Sequence, residues 1–157
     1  MPLRIDAIDK NILKELQKNA RISNVDLSKK VFLSPTPCLE RVKRLEKSGI
    51  IKGYHASICP IKTKSSLLVF IEITLENTSN DIFKQFADTV KQYSEILECH
   101  MIAGGFDYLI KLRFEDVQEY REFLGNGLSN LPKVSLTHSY IVSEEVKDTR
   151  YNDLRNI

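Results

Sequence analysis

Ser34-Pro35-Thr36-Pro37-Cys38-Leu39-Glu40-Arg41-Val42-Lys43-Arg44-Leu45 constrains this chain more than any other stretch, because prolines at 35 and 37 admit only one placement of a helix. Inside a helix a proline removes a hydrogen bond and collides with the preceding turn, whereas in the first turn its missing N–H has no intrahelical partner to lose. The helix therefore starts at Ser34, a good N-cap. Beyond that turn Cys38, Val42 and Leu45 recur at helical spacing and face a core, with Leu39 on the flank, while Glu40, Arg41, Lys43, Arg44 and Lys47 point outward. A capped helix with a basic outer face suits the groove of a nucleic acid.

Charge along the chain agrees. Residues 1–60 carry twelve Lys/Arg and six Asp/Glu, a net +6, whereas residues 61–157 carry eleven and fifteen, a net −4. The overall +2 hides this polarity. A basic amino-terminal domain beside an acidic one points to a polyanion as partner of the first half only. The most apolar run, Leu67 to Ile71, is interrupted by Glu72, far short of the roughly 20 residues of a membrane span. A soluble, cytoplasmic protein with no membrane partner is expected. Cys38, Cys59 and Cys99 are an odd number in apolar patterns, so buried free thiols are expected rather than disulfides or metal ligands.

Three helices are expected in the first fifty residues. Asp6 and Asp9 cap the first, with Ile8, Ile12, Leu13 and Leu16 on its apolar side. Ser23 with Asp26 resembles a capping box for a second, carrying Val25, Leu27 and Val31. A short helix, a tight turn at Phe32 and Leu33, then a basic amphipathic helix is the sequence form of a helix-turn-helix. Such turns favour glycine because one residue takes positive φ. Phe32 stands there, at a cost on the order of 1–2 kcal/mol that burial of its ring would offset. Gly49 ends the third helix, and residues 51–65 read as a linker strand or wing.

From residue 66 the period changes. Leu67–Leu75 is β-rich, 81–91 has helical spacing, and 96–103 and 106–114 are strand-like runs meeting at Gly104-Gly105. A helix beginning at Asp116 and a last strand over 135–144 complete strand, helix, strand, strand, helix, strand. The fold class is α+β, a winged helix-turn-helix (1–50) followed by a ferredoxin-like βαββαβ domain (66–148) and a tail (149–157). Two helices cover one face of such a sheet and leave the other partly apolar, so pairing of sheets in a homodimer is expected.

Arg21-Ile22-Ser23-Asn24, Leu33 to Val42, Ser66 to Phe70, Glu98-Cys99-His100 and Phe106-Asp107-Tyr108-Leu109 together resemble the Lrp/AsnC family, over nearly the whole chain from about Ile5 to Lys147. The resemblance implies a DNA-binding transcriptional regulator whose second domain senses an amino acid, with leucine leading, and whose dimers assemble further, often to octamers. No cofactor is implied. Two departures stand out: Gly105 replaces an acidic residue frequent after the first glycine, and the arm before Ile5 carries only Arg4.

Within that frame Ser34, Thr36 and Pro37 are expected near base or sugar edges, and Arg41, Lys43 and Arg44 divide between guanine edges and phosphates. Arg21, Lys29 and Lys30 are further phosphate candidates or ordinary solvated charges. For the effector, Gly104 and Gly105 expose amides suited to a carboxylate, Asp107 suits an ammonium group, and Met101, Ile102 and Phe106 offer an apolar lining. On the residues alone a plain turn capped by Asp107 is the simpler account. The resemblance reverses this and implicates Met101, Gly104, Asp107 and Tyr108 with Tyr140 and Val142. An architectural DNA-bending protein without an effector is the alternative function. Catalysis is not expected: His55, His100 and His138 are scattered, and neighbouring Cys99 and His100, like Glu144 and Glu145, point to opposite faces of a strand.

Overall fold

The computed structural model describes residues 4–149 and 151–154. The chain forms two compact units, one built from residues up to Ser57 together with those from Asp148 onward, the other spanning Ile58–Lys147. Positions 150 and 155–157 of the expected tail lie outside the described residues.

In the first unit, α1 (Ala7–Lys18), α2 (Asn24–Lys30) and α3 (Pro35–Lys47) surround a core of Ile12, Leu13, Leu27, Val31, Cys38 and Leu45. Asp6 and Asp9 cap α1 reciprocally: the Asp9 amide donates to Asp6 Oδ1 at 2.9 Å and the Asp6 amide to Asp9 Oδ2 at 3.2 Å. Ser23 Oγ accepts from the Asp26 amide at 3.0 Å and donates to its carboxylate at 2.7 Å. Ser34 is the N-cap of α3 but makes no side-chain cap bond. Pro37 at the third helical position supplies no N–H, so the usual target of that hydroxyl is missing. Gly49 closes α3 with φ 77°, a left-handed exit that glycine adopts without steric cost.

Phe32 takes φ 57°, as the turn chemistry requires, yet its ring is 93% exposed and the expected burial does not occur. Leu33 is the turn residue that reaches the core. Val25, expected on the apolar side of α2, is half exposed, because α2 has only seven residues and Leu27 and Val31 supply its buried face. No strand or helix forms over residues 51–59 among the described residues, so the expected linker strand is absent there. Cys59 is exposed rather than buried, since it precedes a one-turn 3-10 helix (Pro60–Thr63) and not a packed strand.

The second unit runs β1 (Leu67–Leu75), α4 (Asn80–Val90), β2 (Ile96–Met101), β3 (Tyr108–Phe114), α5 (Val117–Asn126), β4 (Val134–Ile141). All neighbours are antiparallel in the order β2-β3-β1-β4, the ferredoxin-like arrangement. Period-two alternation sets the register, with Val69 opposite Leu112, Ile71 opposite Ile110 and Ile73 opposite Tyr108. These side chains face α4 and α5, whose Phe86, Val90, Tyr120 and Phe123 complete the core. The other face mixes half-exposed Leu136 and Tyr140 with charge pairs such as Lys111 and Glu98 at 3.0 Å. No helix among the described residues is long and apolar enough to cross a membrane.

Glu15 joins α1 to α2, accepting from Lys18 Nζ and Lys30 Nζ at 2.6 Å each. Lys18 first and Lys30 second hold its carboxyl down to about 2 against an ordinary 4.5. A pKa lowered by folding gives stability that is complete above the unfolded value and is lost as pH falls from there through the folded one. Glu15→Gln is therefore expected to flatten the loss of stability between about pH 4.5 and pH 2, measured by urea denaturation at stepped pH.

Candidate nucleic-acid interface and effector site

At the amino-terminal end of α3, Ser34, Pro35, Thr36 and Pro37 are all exposed, while Cys38 immediately behind them is fully buried. Asn24 Nδ2 donates to the Pro35 carbonyl at 2.8 Å and ties the start of α2 to the start of α3. Ser34 therefore carries a hydroxyl not spent on capping, on a helix end fixed by its neighbour. Lys43 is exposed along the same helix.

The two arginines are placed differently from that outward row. Arg41 Nη1 donates to Asp6 Oδ2 at 2.7 Å and to Asp9 Oδ1 at 2.9 Å, and Arg44 Nη2 donates to Asp9 Oδ2 at 2.6 Å. Asp9 is completely buried, and Arg41 retains one quarter of its side-chain exposure. Asp6 and then Asp9 push the Arg41 pKa upward, while the Asp9 amide and then Arg41 hold the Asp6 carboxyl below its ordinary range. Arg41 and Arg44 thus bind α1 to α3 within the chain. Lys29 and Lys30 meet Asp26 at 3.6 Å and Glu15 at 2.6 Å, as surface pairs that leave more than half of each lysine exposed.

Sequence reasoning read Asp9 as a cap and missed it as the carboxylate that two arginines of α3 share. The available signal was Asp9 at the third position of α1 with two arginines on one later helix, but a pairing across some thirty residues has no local periodicity. A second missed contact lies at the chain's far end. Asn152 N donates to Gln17 Oε1 at 2.6 Å and Gln17 Nε2 donates back to its carbonyl at 3.3 Å, while Leu154 packs on the first unit's core.

In the second unit Met101, Gly104, Gly105, Phe106 and Asp107 come together on the loop between β2 and β3, whereas Tyr140, opposite Phe70, and Val142, bonded to Leu68, lie toward the other end of β1. Ile102 N donates to the Asp107 carbonyl at 2.8 Å, and Asp107 N to the Ile73 carbonyl at 2.9 Å. Asp107 Oδ2 accepts from the Leu75 amide at 2.8 Å, so this carboxylate staples the loop to β1. Gly104 and Gly105 are exposed, and neither takes positive φ. A Cβ on Gly105 would meet nothing within 4 Å. Met101 is 56% exposed and Phe106 half-buried beside them. Tyr108 turns the other way, into the core, where its ring stacks on Phe86 with centroids 4.4 Å apart. Burial pushes its hydroxyl pKa up. Tyr140 lies on the uncovered face and donates to Glu72 Oε2 at 3.1 Å, a bond that raises its pKa, and the Val142 amide donates to the Leu68 carbonyl at 2.9 Å just past β4.

Cys99 packs against the core while the neighbouring His100 is exposed, 3.2 Å from Glu98 Oε2. Glu145 binds Arg113 through both oxygens, at 2.9 and 2.7 Å. No group of three or more His, Cys, Asp or Glu side chains among the described residues is arranged to hold a metal ion.

A helix-turn-helix unit joined in one chain to a ferredoxin-like α+β unit defines a DNA-binding transcriptional regulator with a ligand-binding half. Comparison with known proteins makes the assignment specific. Residues 5–52 match a winged helix-turn-helix DNA-binding family and residues 68–151 the Lrp/AsnC ligand binding domain. The leucine-responsive regulatory protein of Escherichia coli K12 is 55% identical over 145 residues, 92% of this chain and 88% of that protein. A transcriptional regulator from Neisseria meningitidis in complex with L-Met superposes with a TM-score of 0.91 at 35% identity, covering 97% of this chain and 98% of that one. An AsnC family regulator from Agrobacterium tumefaciens gives 0.90 at 30% identity, covering 95% and 97%. The chain belongs to the Lrp/AsnC family.

Replacing Asp9 by Asn removes the charge that Arg41 and Arg44 share and turns one of its two acceptor oxygens into a buried NH2 facing donors. Asp9→Asn is expected to destabilise the amino-terminal unit by about 2 kcal/mol, less than a fully buried ion pair because both arginines reach solvent. Urea denaturation of wild type and variant at neutral pH checks this.

Proposed function

We propose that this chain regulates transcription by placing the amino-terminal end of α3 in the major groove of duplex DNA, and that a small aliphatic amino acid bound at the loop after β2 alters its assembly or DNA affinity. The exposed Ser34-Thr36-Pro37 end, with its uncommitted hydroxyl, carries the first half of this reading. Ser34, Thr36 and Pro37 meet base and sugar edges, and Lys43 meets phosphate. Arg41 and Arg44 position the helix from behind and add at most their exposed edges to the contact.

For the effector, the supporting observation is space. Gly104 and Gly105 leave open backbone, with nothing among the described residues within 4 Å of a Cβ placed on Gly105, which suits a ligand carboxylate; Asp107 Oδ1 suits its ammonium group, and Met101 and Phe106 its side chain. Tyr140 and Val142, beside Phe70 and Leu68 and so away from the loop of their own chain, serve the site from a neighbouring copy, and Tyr108 supports the loop from the core. Leucine leads because the Escherichia coli relative is named for it, and methionine follows from the Neisseria complex. The uncovered sheet face pairs with that of a second copy, and such dimers associate further into an octamer or similar assembly. The working compartment is the cytoplasm, where the DNA lies.

Fluorescence anisotropy on duplex DNA, at two salt concentrations and with saturating leucine or methionine, tests the reading. Salt-dependent binding that at least one amino acid shifts is expected, since phosphate contacts release counterions and linkage makes the coupling reciprocal. Binding that neither amino acid moves would favour a purely architectural role. At the effector loop, Asp107→Asn keeps an acceptor for the Leu75 amide but loses the charge. It is expected to raise the amino-acid concentration needed for half response about tenfold with DNA affinity unchanged; an unchanged response would remove Asp107 from the site.

A further inference from the structure

Phe32 is the most exposed large apolar side chain among the described residues, at 93%, and it holds φ 57°. Neither fact favours phenylalanine in the isolated chain. Left-handed backbone is costly for a bulky residue, and an open ring gains nothing from burial. Its position is nonetheless fixed. The Phe32 amide donates to the Lys29 carbonyl at 3.3 Å and the Leu33 amide to the Ser28 carbonyl at 2.9 Å, and Leu33 anchors the turn in the core. The turn thus projects an aromatic ring from a fixed backbone two residues before the Ser34 cap.

Its surroundings select the partner. Lys29 and Lys30 close α2 immediately before it and stay more than half exposed, and the whole first sixty residues are net positive. Along the chain the ring stands between two lysines and the hydroxyl-bearing end of α3. That combination matches a sugar–phosphate ribbon, with ammonium groups for phosphates and a ring for the apolar faces of deoxyribose. We infer that Phe32 is a DNA-contact residue, its ring packing on the deoxyribose edge of the groove that α3 enters. This rests on the DNA-binding reading given above.

Such a contact has a signature that charge contacts lack. Phe32 neutralises no phosphate, so its removal lowers affinity at every salt concentration without changing the slope of log K against log salt. Phe32→Gly accepts the left-handed backbone and keeps the turn, and Phe32→Tyr keeps the ring. Anisotropy titrations of the full chain on duplex DNA at several salt concentrations are expected to show Phe32→Gly about tenfold weaker with an unchanged slope, the loss of one buried apolar side chain. Phe32→Tyr is expected near wild type. Thermal melting of Phe32→Gly is expected no lower than wild type, which separates lost contact from lost fold. Equal affinity of Phe32→Gly and wild type would overturn the inference while leaving DNA binding intact; failure of the wild type itself to bind would remove the reading beneath it. A reduced mass of Phe32→Gly by light scattering without DNA would assign the ring to an interface between copies and also overturn it.

Discussion

Two arginines of α3 converge on one carboxylate that has no access to water, and the amino-terminal unit is organised around that fact. Asp9 sits in the first turn of α1, where the helix dipole favours a negative charge, and its Oδ2 already caps the Asp6 amide. Arg41 and Arg44 approach from one face of α3 and use both oxygens. Hydrophobic contacts among Ile12, Leu27, Val31, Cys38 and Leu45 hold the three helices together but leave rotation and sliding weakly specified. Directional charge-assisted bonds at 2.6 to 2.9 Å specify the angle at which α3 leaves α1. The Asn24 bond to the Pro35 carbonyl fixes the other end.

This geometry explains where the sequence was readable. Caps declare themselves locally, so Asp6, Ser23 and Ser34 each mark a helix start, and the proline pair excludes other registers for α3. Alternation in β1 and β3 likewise gives the buried face of the sheet. The destination of a long polar side chain is different, because it depends on what lies across the core. Arg41 on a helical wheel belongs to the outer face, yet a guanidinium reaches around the flank to a carboxylate some thirty residues away. Tyr108 has the same ambiguity in reverse: beside Asp107 it looks like a loop residue, but it opens β3 opposite Ile73 and so belongs to the core row. Val25 and Cys59 were read from apolar neighbours whose elements prove too short or too irregular to bury them.

The ferredoxin-like unit divides its labour by strand parity. One row of β1 and β3 is committed to α4 and α5 and contains the large buried aromatics, and the other carries Glu72, Lys111 and Arg113. The loop after β2 stands where these rows end. Asp107 stitches it to β1 through the Leu75 amide, so the glycines lie on a restrained support although they themselves are exposed. Restraint next to open backbone favours ligand binding, since little ordering remains to be done when a ligand arrives.

The commitment of Arg41 and Arg44 to Asp9 also limits how the protein can hold DNA. A thirteen-residue helix that reserves two arginines for its own placement has, on the proposed reading, few contacts to offer the duplex: two hydroxyls, a proline ring and Lys43, with Phe32 and the α2 lysines at the margin. Each base or phosphate contact supplies only a few kcal/mol at most, and the phosphate share weakens with salt. One copy therefore binds modestly. Joining copies converts each later contact into an intramolecular event at high effective concentration, and symmetric copies present their helices at fixed spacing. In the proposed function an effector that changes how copies meet would control DNA binding without touching α3. On the proposed function, assembly is the step on which both DNA affinity and its regulation depend, and a sheet with one uncovered face gives the sensing unit a surface through which to act on it.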